Sequence, residues 1–176
     1  MIVPFEGVTP TLAADVFVAP GAVVIGDVVI GEASSVWYTS VVRGDVMPIR
    51  IGARVNIQDG SVIHVSSRTS PTHIADDVTI GHRAIIHGCT IERGALIGMG
   101  AIILDDAVIG EGSLVGAGAI VTSGTIVPPG SLVLGAPARV KRPLTDDERT
   151  GLLASAAGYV HNAARHAASL DSRGDA

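Results

Sequence analysis

An aliphatic residue recurs at every sixth position along most of this 176-residue chain. A helix buries apolar residues three and four apart, and a half-buried strand buries every second residue, so neither explains a spacing of six. Short strands joined by tight turns do explain it, because each six-residue unit then directs one aliphatic side chain into the same coil. Three units complete one triangular turn, and we therefore predict an all-β parallel β-helix whose coils span about 18–138. The series has nineteen positions: Val18, Val24, Ile30, Val36, Val42, Ile51, Ile57, Ile63, Ile74, Ile80, Ile86, Ile91, Ile97, Ile103, Ile109, Val115, Val121, Val127 and Val133.

The composition agrees with a narrow aliphatic interior. Hydrophobic residues make up 47% of the chain but aromatic residues only 3%, so aliphatic side chains must fill the core. The longest uncharged stretch, 112–138, is interrupted throughout by Gly, Ser and Pro, which argues against a membrane-spanning helix. A formal charge of −5 argues against a nucleic-acid or membrane-surface partner. The N-terminus lacks a basic start followed by an apolar run, and we expect a cytoplasmic protein.

Two longer steps interrupt the series. The spacing rises to nine residues after Val42 and to eleven after Ile63. These steps predict small loops that leave the coil at 44–48 and at about 66–72. Loops on a rigid scaffold commonly carry functional residues, so the chemistry of the chain is expected beside them.

The end of the chain changes character. Thr145 and Glu148 have the spacing of a capping box, which predicts a helix running to about Ser169. The predicted organisation is therefore a β-helix domain at 1–142 and a C-terminal helix, within 143–176, that packs on the prism.

Indexing residues by their place in a six-residue unit puts two histidines in one column. His64 follows Ile63 and His87 follows Ile86, and the 23 residues between them equal one 18-residue turn plus the five-residue insertion. Neighbouring coils lie about 4.8 Å apart, which lets two imidazoles share one metal ion. His82 is the third residue of its unit, on the preceding face, and joins the pair only from a neighbouring chain in a threefold ring. Three nitrogen ligands with an open fourth position are typical of catalytic zinc.

Polar residues accompany these columns. Arg43 shares the column of the histidine pair and Asp59 shares that of His82, so the same interface is expected to join them in a salt bridge between subunits. We expect Gln58 to hydrogen-bond the reacting oxygen and Asp45 to orient Arg43. Simpler alternatives stay open, because a single histidine on such a face is usually a solvated side chain. The Arg-Gly-Asp run at 43–45 also fits a turn with an internal ion pair.

Five short runs carry a resemblance to a known family: Arg43-Gly44-Asp45, Asn56-Ile57-Gln58-Asp59-Gly60, Ile63-His64, Ile80-Gly81-His82 and Ile86-His87-Gly88. They resemble the γ-class carbonic anhydrases in their short bacterial form, and the resemblance covers nearly the whole chain. It implies a left-handed β-helix and a homotrimer with a metal site at each subunit interface. It also implies zinc, with iron or cobalt as alternatives, and the carbonate dehydratase (lyase) reaction, which hydrates CO2 to bicarbonate.

The family pattern also assigns roles and shows one departure. The implied roles are metal ligands His64, His82 and His87, catalytic residues Gln58 and Tyr159, and interface residues Arg43, Asp45 and Asp59. The well-characterised members of the family carry an acidic loop and a glutamate pair that move protons. Here 46–47 are Val-Met and 65–66 are Val-Ser, without a carboxylate. Hydration is therefore expected to be slow or latent, and to rise with buffer concentration.

Two other functions fit parts of the sequence. Coenzyme A-dependent hexapeptide acyltransferases share the coil pattern and the Gly-x-Pro-Ala ending at 135–138. They need one general-base histidine and a long acyl-donor cleft, and they have no use for a stacked pair. A non-catalytic or differently specific metal-binding trimer keeps the histidines and lacks the proton-moving carboxylates. Metal content and CO2 hydration discriminate these functions.

Overall fold

The computed structural model describes residues 1–66 and 70–172. They form a parallel β-helix of about seven turns followed by one α-helix, which confirms the predicted all-β coil with a C-terminal helix. The elements in chain order are β1 (Ile2–Val3), β2 (Thr11–Leu12), β3 (Phe17–Val18), β4 (Val23–Ile30), β5 (Ser35–Val36), β6 (Val41–Ile51), β7 (Asn56–Ile57), β8 (Val62–His64), β9 (Thr72–Ile74), β10 (Thr79–Ile80), β11 (Ile85–His87), β12 (Thr90–Ile91), β13 (Leu96–Ile97), β14 (Ile102–Ile103), β15 (Val108–Ile109), β16 (Leu114–Val115), β17 (Ile120–Val121), β18 (Ile126–Val127), β19 (Ser131–Gly135), β20 (Ala138–Pro143) and α1 (Asp146–Asp171).

Strands from successive coils stack into three faces. The first face contains β8, β11, β14 and β17, and the second contains β9, β12, β15 and β18. Strands β4 and β6 are long enough to run through both faces and join them in one sheet. The third face is a separate sheet in the order β3-β5-β7-β10-β13-β16-β19-β20. All pairings between the described strands are parallel, except that of β19 with β20.

The aliphatic residues at six-residue spacing form the core. Ile86 is paired with Ile63 in the coil before it and with Ile103 in the coil after it, and all three are fully buried. The coil begins earlier than the predicted position 18, because Leu12 already pairs with Ile30 and packs against the core. Each two- or three-residue strand from β5 to β18 contributes one branched side chain to the interior, and the narrow prism is filled by stacking these side chains in register.

The first predicted loop, at 44–48, is wrong because these residues lie within strand β6. Gly44 pairs with Gly26 and Ile49 pairs with Val28, so the intervening residues of β6 outnumber those of β4 and bulge from the ladder. A bulge accommodates extra residues without ending the strand, and it re-aims the side chains beside it. The extra length after Val42 therefore shapes the edge of a face instead of leaving the coil.

The second predicted loop is partly visible. Its residues 67–69 lie outside the described residues. On either side of them, Ser66 and Ser70 form an antiparallel bridge, and β9 begins at Thr72.

The C-terminal helix begins with the predicted capping box. Thr145 is the N-cap, its hydroxyl accepts a hydrogen bond from the Glu148 amide, and the Glu148 carboxylate accepts one from the Thr145 amide. Nη1 and Nη2 of Arg142 also each donate to an oxygen of the Glu148 carboxylate at 2.7 Å. The helix packs on the third face, against β3, β5, β7 and β10. Within the described ranges, no helix has both the length and the apolarity needed to cross a bilayer.

A cluster of aromatic residues lies outside the coil and holds the helix on it. Phe17 and Trp37 are buried between the third face and α1, with ring centroids 5.5 Å apart. Tyr159 and His166 of the helix meet Trp37 edge-on, at centroid distances of 5.5 and 4.9 Å. Four of the five aromatic residues therefore serve helix docking, and the interior of the prism is left to aliphatic residues.

Candidate metal centre

The structure stacks the two histidines that the sequence places in one column. His64 ends β8 and His87 ends β11, and the two residues are direct partners in the parallel ladder. Because Ile63 and Ile86 point into the core, the histidines that follow them point outward from the first face. The ring centroids are 5.2 Å apart, and the rings are tilted by 59°.

The nitrogens that face each other are suitably placed for a shared metal ion. Nδ1 of His64 lies 3.2 Å from Nε2 of His87. Two nitrogens bound tetrahedrally to one zinc ion at its usual bond length are about 3.3 Å apart. The pair therefore presents two ligand atoms at the separation that zinc needs.

The outward nitrogens of the same rings each meet a carboxylate. Nε2 of His64 is 2.9 Å from Oδ1 of Asp45, and Nδ1 of His87 is 2.5 Å from Oδ1 of Asp105. An ionised carboxylate only accepts hydrogen bonds, so a neutral ring that donates its N–H to the carboxylate keeps its lone pair on the inner nitrogen. Two lone pairs facing each other cannot hydrogen-bond, but a cation between them satisfies both. Carboxylates behind metal-bound histidines are a recurring arrangement, and this donor set fits a metal ion.

Asp105 was not singled out in the sequence. The available signal was its position 18 residues after His87, the length of a regular turn, although the register between β11 and β14 is seventeen residues. That signal is weak, because many residues stand one turn from a histidine.

Asp45 connects the histidine pair to Arg43. Within one chain its carboxylate forms an ion pair with the Arg43 guanidinium and also accepts from His64, while the role of Asp45 in orienting Arg43 stays a prediction. Burial raises the pKa of Asp45, but the hydrogen bonds from His64 and Arg43 outweigh it and lower the pKa below its ordinary value. Asp45 therefore stays ionised as a partner for both groups.

His82 lies on the third face, after β10, and is not part of the pair within one chain. Its Nδ1 is 2.9 Å from Oδ2 of Asp59, and both side chains are 42% exposed. Across residues 1–66 and 70–172, a single chain brings together no three histidine, cysteine or acidic side chains that could hold a metal ion. The salt bridge between Arg43 and Asp59 of two subunits stays a prediction.

Gln58 and Tyr159 lie on the same side of the molecule as His82. Gln58 is buried and donates from Nε2 to the Asn56 side chain at 3.0 Å. Burial raises the pKa of Tyr159, and the negative charge of Asp59 raises it further. The candidate residues therefore form two groups, one around the histidine pair on the first face and one around His82 on the third.

Comparison with known proteins relates the chain to carbonic anhydrases. It is 52% identical over 148 residues to a carbonic anhydrase of Geobacillus kaustophilus (strain HTA426), a match that covers 84% of this chain and 81% of that protein. It is 47% identical over 164 residues to the mitochondrial gamma carbonic anhydrase 2 of Arabidopsis thaliana, covering 90% of this chain and 59% of that protein. The chain belongs to the γ-class carbonic anhydrase-like family.

This family shares its coil with transferases. Residues 88–123 match the family described as bacterial transferase hexapeptide (six repeats). The crystal structure of a hexapeptide transferase family protein from Anaplasma phagocytophilum superposes with a TM-score of 0.89 and 43% identity, covering 93% of this chain and 96% of that one. The coil alone therefore does not determine which reaction a protein of this architecture catalyses.

Proposed function

We propose that the protein hydrates CO2 to bicarbonate at a three-histidine metal site between the subunits of a cytoplasmic homotrimer. The observation that carries the proposal is the separation of 3.2 Å between Nδ1 of His64 and Nε2 of His87, each on a ring whose other nitrogen meets a carboxylate. Membership of the γ-class-like family supports a metal and CO2 as the substrate.

His82 of a neighbouring subunit is the third ligand in this proposal. Like the other two histidines it has one nitrogen beside a carboxylate, here Nδ1 beside Asp59, which leaves Nε2 for a metal. Its exposed position suits a residue that acts across an interface. The metal is zinc in this proposal, with iron or cobalt as alternatives. Zinc in such a site supplies Lewis acidity that makes water a nucleophile near pH 7.

The other residues bind and orient. Gln58, held by Asn56, hydrogen-bonds the reacting oxygen, and Tyr159 approaches the same region from the helix. Arg43 lies between Asp45 of its own chain and Asp59 of the neighbour, and so ties the interface together beside the site. These roles rest on the family pattern together with the positions described above.

Hydration of CO2 releases a proton, and this chain lacks the glutamate pair that would carry the proton away from the site. Val46 is half exposed at the bulge, where the better-known members carry acidic residues, and Val65 is buried. We therefore assign proton transfer to dissolved buffer. Turnover is slow under this proposal and rises with buffer concentration at constant pH and ionic strength.

The test combines metal content with CO2 hydration. Purified protein is expected to hold one zinc, iron or cobalt ion per subunit, and stopped-flow hydration rates at two buffer concentrations are expected to differ. His82→Ala should lose the metal and the activity while keeping its circular dichroism spectrum. His73→Ala is the matched control, because His73 is an exposed histidine on the second face and should retain both. Stoichiometric metal in His82→Ala would overturn the ligand assignment.

The same measurements separate the alternatives. Bound metal without hydration at any buffer concentration favours a non-catalytic or differently specific metal-binding trimer. Acetyl transfer from acetyl coenzyme A by metal-free protein favours an acyltransferase, the activity named for related coils. Either result rejects CO2 hydration as the function.

A further inference from the structure

The carboxylate of Asp105 reaches back by one coil to His87. Asp105 lies in the turn after β14, and its Oδ1 is 2.5 Å from Nδ1 of His87. Both side chains are 31% exposed, so the contact is neither fully solvated nor sealed in the core. Partial burial strengthens a hydrogen bond between a ring N–H and a carboxylate compared with the same bond in water.

Gly88 makes this approach possible. Ile86 and Ile103 are partners seventeen residues apart, so Asp105 stands beside Gly88 in the next coil. A Cβ atom at position 88 would lie 2.4 Å from Oδ1 of Asp105, closer than any van der Waals contact allows. Gly88 also has a φ of +56°, a conformation that side chains disfavour. The carboxylate thus occupies space that exists because residue 88 has no side chain.

The backbone around Gly88 is fixed on both sides. Its carbonyl accepts from the Asp106 amide at 2.7 Å, and its amide donates to the Thr72 hydroxyl at 3.0 Å. The Thr72 hydroxyl in turn donates to the His64 carbonyl at 2.7 Å. These bonds tie the turn that carries Asp105 to both histidine strands, so the carboxylate is held in place and does not merely rest against the ring.

We propose that Asp105 is a positioning residue for His87, and that Gly88 gives it access. The carboxylate accepts the Nδ1–H of His87, which sets the tautomer and turns the lone pair of Nε2 toward His64. The expected effect of Asp105 on metal binding rests on the proposed function, because that function takes His87 as a metal ligand. The tautomer of His87 in metal-free protein does not depend on it.

The first measurement is the tautomer of His87 in metal-free protein, from the 15N chemical shifts of its ring. The wild type is expected to carry the proton on Nδ1. Asp105→Asn should lose this preference, because an amide can donate to the ring as well as accept from it. The matched control is Asp106→Asn, since Asp106 is the neighbouring aspartate, bonds Ser70 at 2.7 Å and has a φ of +60° that asparagine tolerates.

The second measurement is the affinity of the metal-free protein for Co²⁺, followed by visible absorption in competition with a chelator. Asp105→Asn and Gly88→Ala are expected to bind about 10–100-fold more weakly than the wild type, and Asp106→Asn within about twofold. If Gly88→Ala does not fold, the two asparagine variants still decide the matter.

Two results would overturn the inference. One is a wild-type His87 protonated on Nε2, and the other is a Co²⁺ affinity of Asp105→Asn equal to that of Asp106→Asn. A wild type with the Nδ1–H tautomer that binds Co²⁺ but does not hydrate CO2 would reject the proposed function and leave the role of Asp105 standing.

Discussion

Truncating one core isoleucine should cost much of the stability of the protein. Ile109 is fully buried, and its partner Val127 in the next coil is 1% exposed. Ile109→Ala removes three carbon atoms, worth about 0.8 kcal/mol each in transfer free energy, or about 2.4 kcal/mol. The hydrogen-bonded coils on either side limit collapse into the gap, which adds about 1–2 kcal/mol. The expected loss is therefore about 3.4–4.4 kcal/mol.

The control is an isoleucine on the outside of the same face. Ile126 is 74% exposed, and Ile126→Ala should change the free energy of unfolding by no more than about 0.5 kcal/mol. Both variants are compared with the wild type by urea unfolding at one fixed protein concentration, because the stability of a protein that assembles depends on its concentration. A loss below about 1 kcal/mol for Ile109→Ala, or equal losses for both variants, would refute the picture of a tightly packed aliphatic column.

Two further predictions concern the helix. Hydrogen bonds from Arg142 and the Thr145 amide lower the pKa of Glu148 from 4.5 to about 2, so its stabilising effect is present above pH 4.5 and is lost as the pH falls toward 2. Glu148→Gln should flatten this acid-induced loss of helical circular dichroism, and an unchanged acid profile would contradict the assignment. Gly151 lies in α1 with open space around it, so Gly151→Ala should stabilise the protein by about 0.5–1 kcal/mol in urea unfolding. A loss of stability there would show that the position is crowded.

The periodic parts of the molecule were predictable, and the irregular parts were not. The six-residue aliphatic spacing predicts the coil, the inward direction of Ile86 and the stacking of His64 on His87, because one repeated geometry governs all three. The bulge in β6 was not predictable in the same way. An interrupted spacing shows that extra residues exist, but whether they leave as a loop or stay paired depends on the neighbouring strand, here β4.

Asp105 illustrates the same limit at the candidate site. Its contact with His87 depends on a register of seventeen residues between β11 and β14, one fewer than a regular turn. It also depends on the missing side chain of Gly88, whose Cβ would occupy the position of the carboxylate. Neither effect appears in a list of charged residues and their spacing. The aromatic contacts below α1 were missed for a related reason, since the helix packs against the outside of the third face, where the six-residue pattern carries no information.

The parallel coils are stacked in one column, and among the described residues the strands of each coil pair with strands of the coil before it and the coil after it. Length is therefore a modular property of this architecture, as in other solenoids. A unit of eighteen residues can be gained or lost beyond β14 during evolution without changing the register between β8 and β11. The histidine pair and the carboxylates beside it lie on β6, β8, β11 and the turn after β14. The coils beyond that turn can therefore vary in number and in the surfaces that they offer to other molecules.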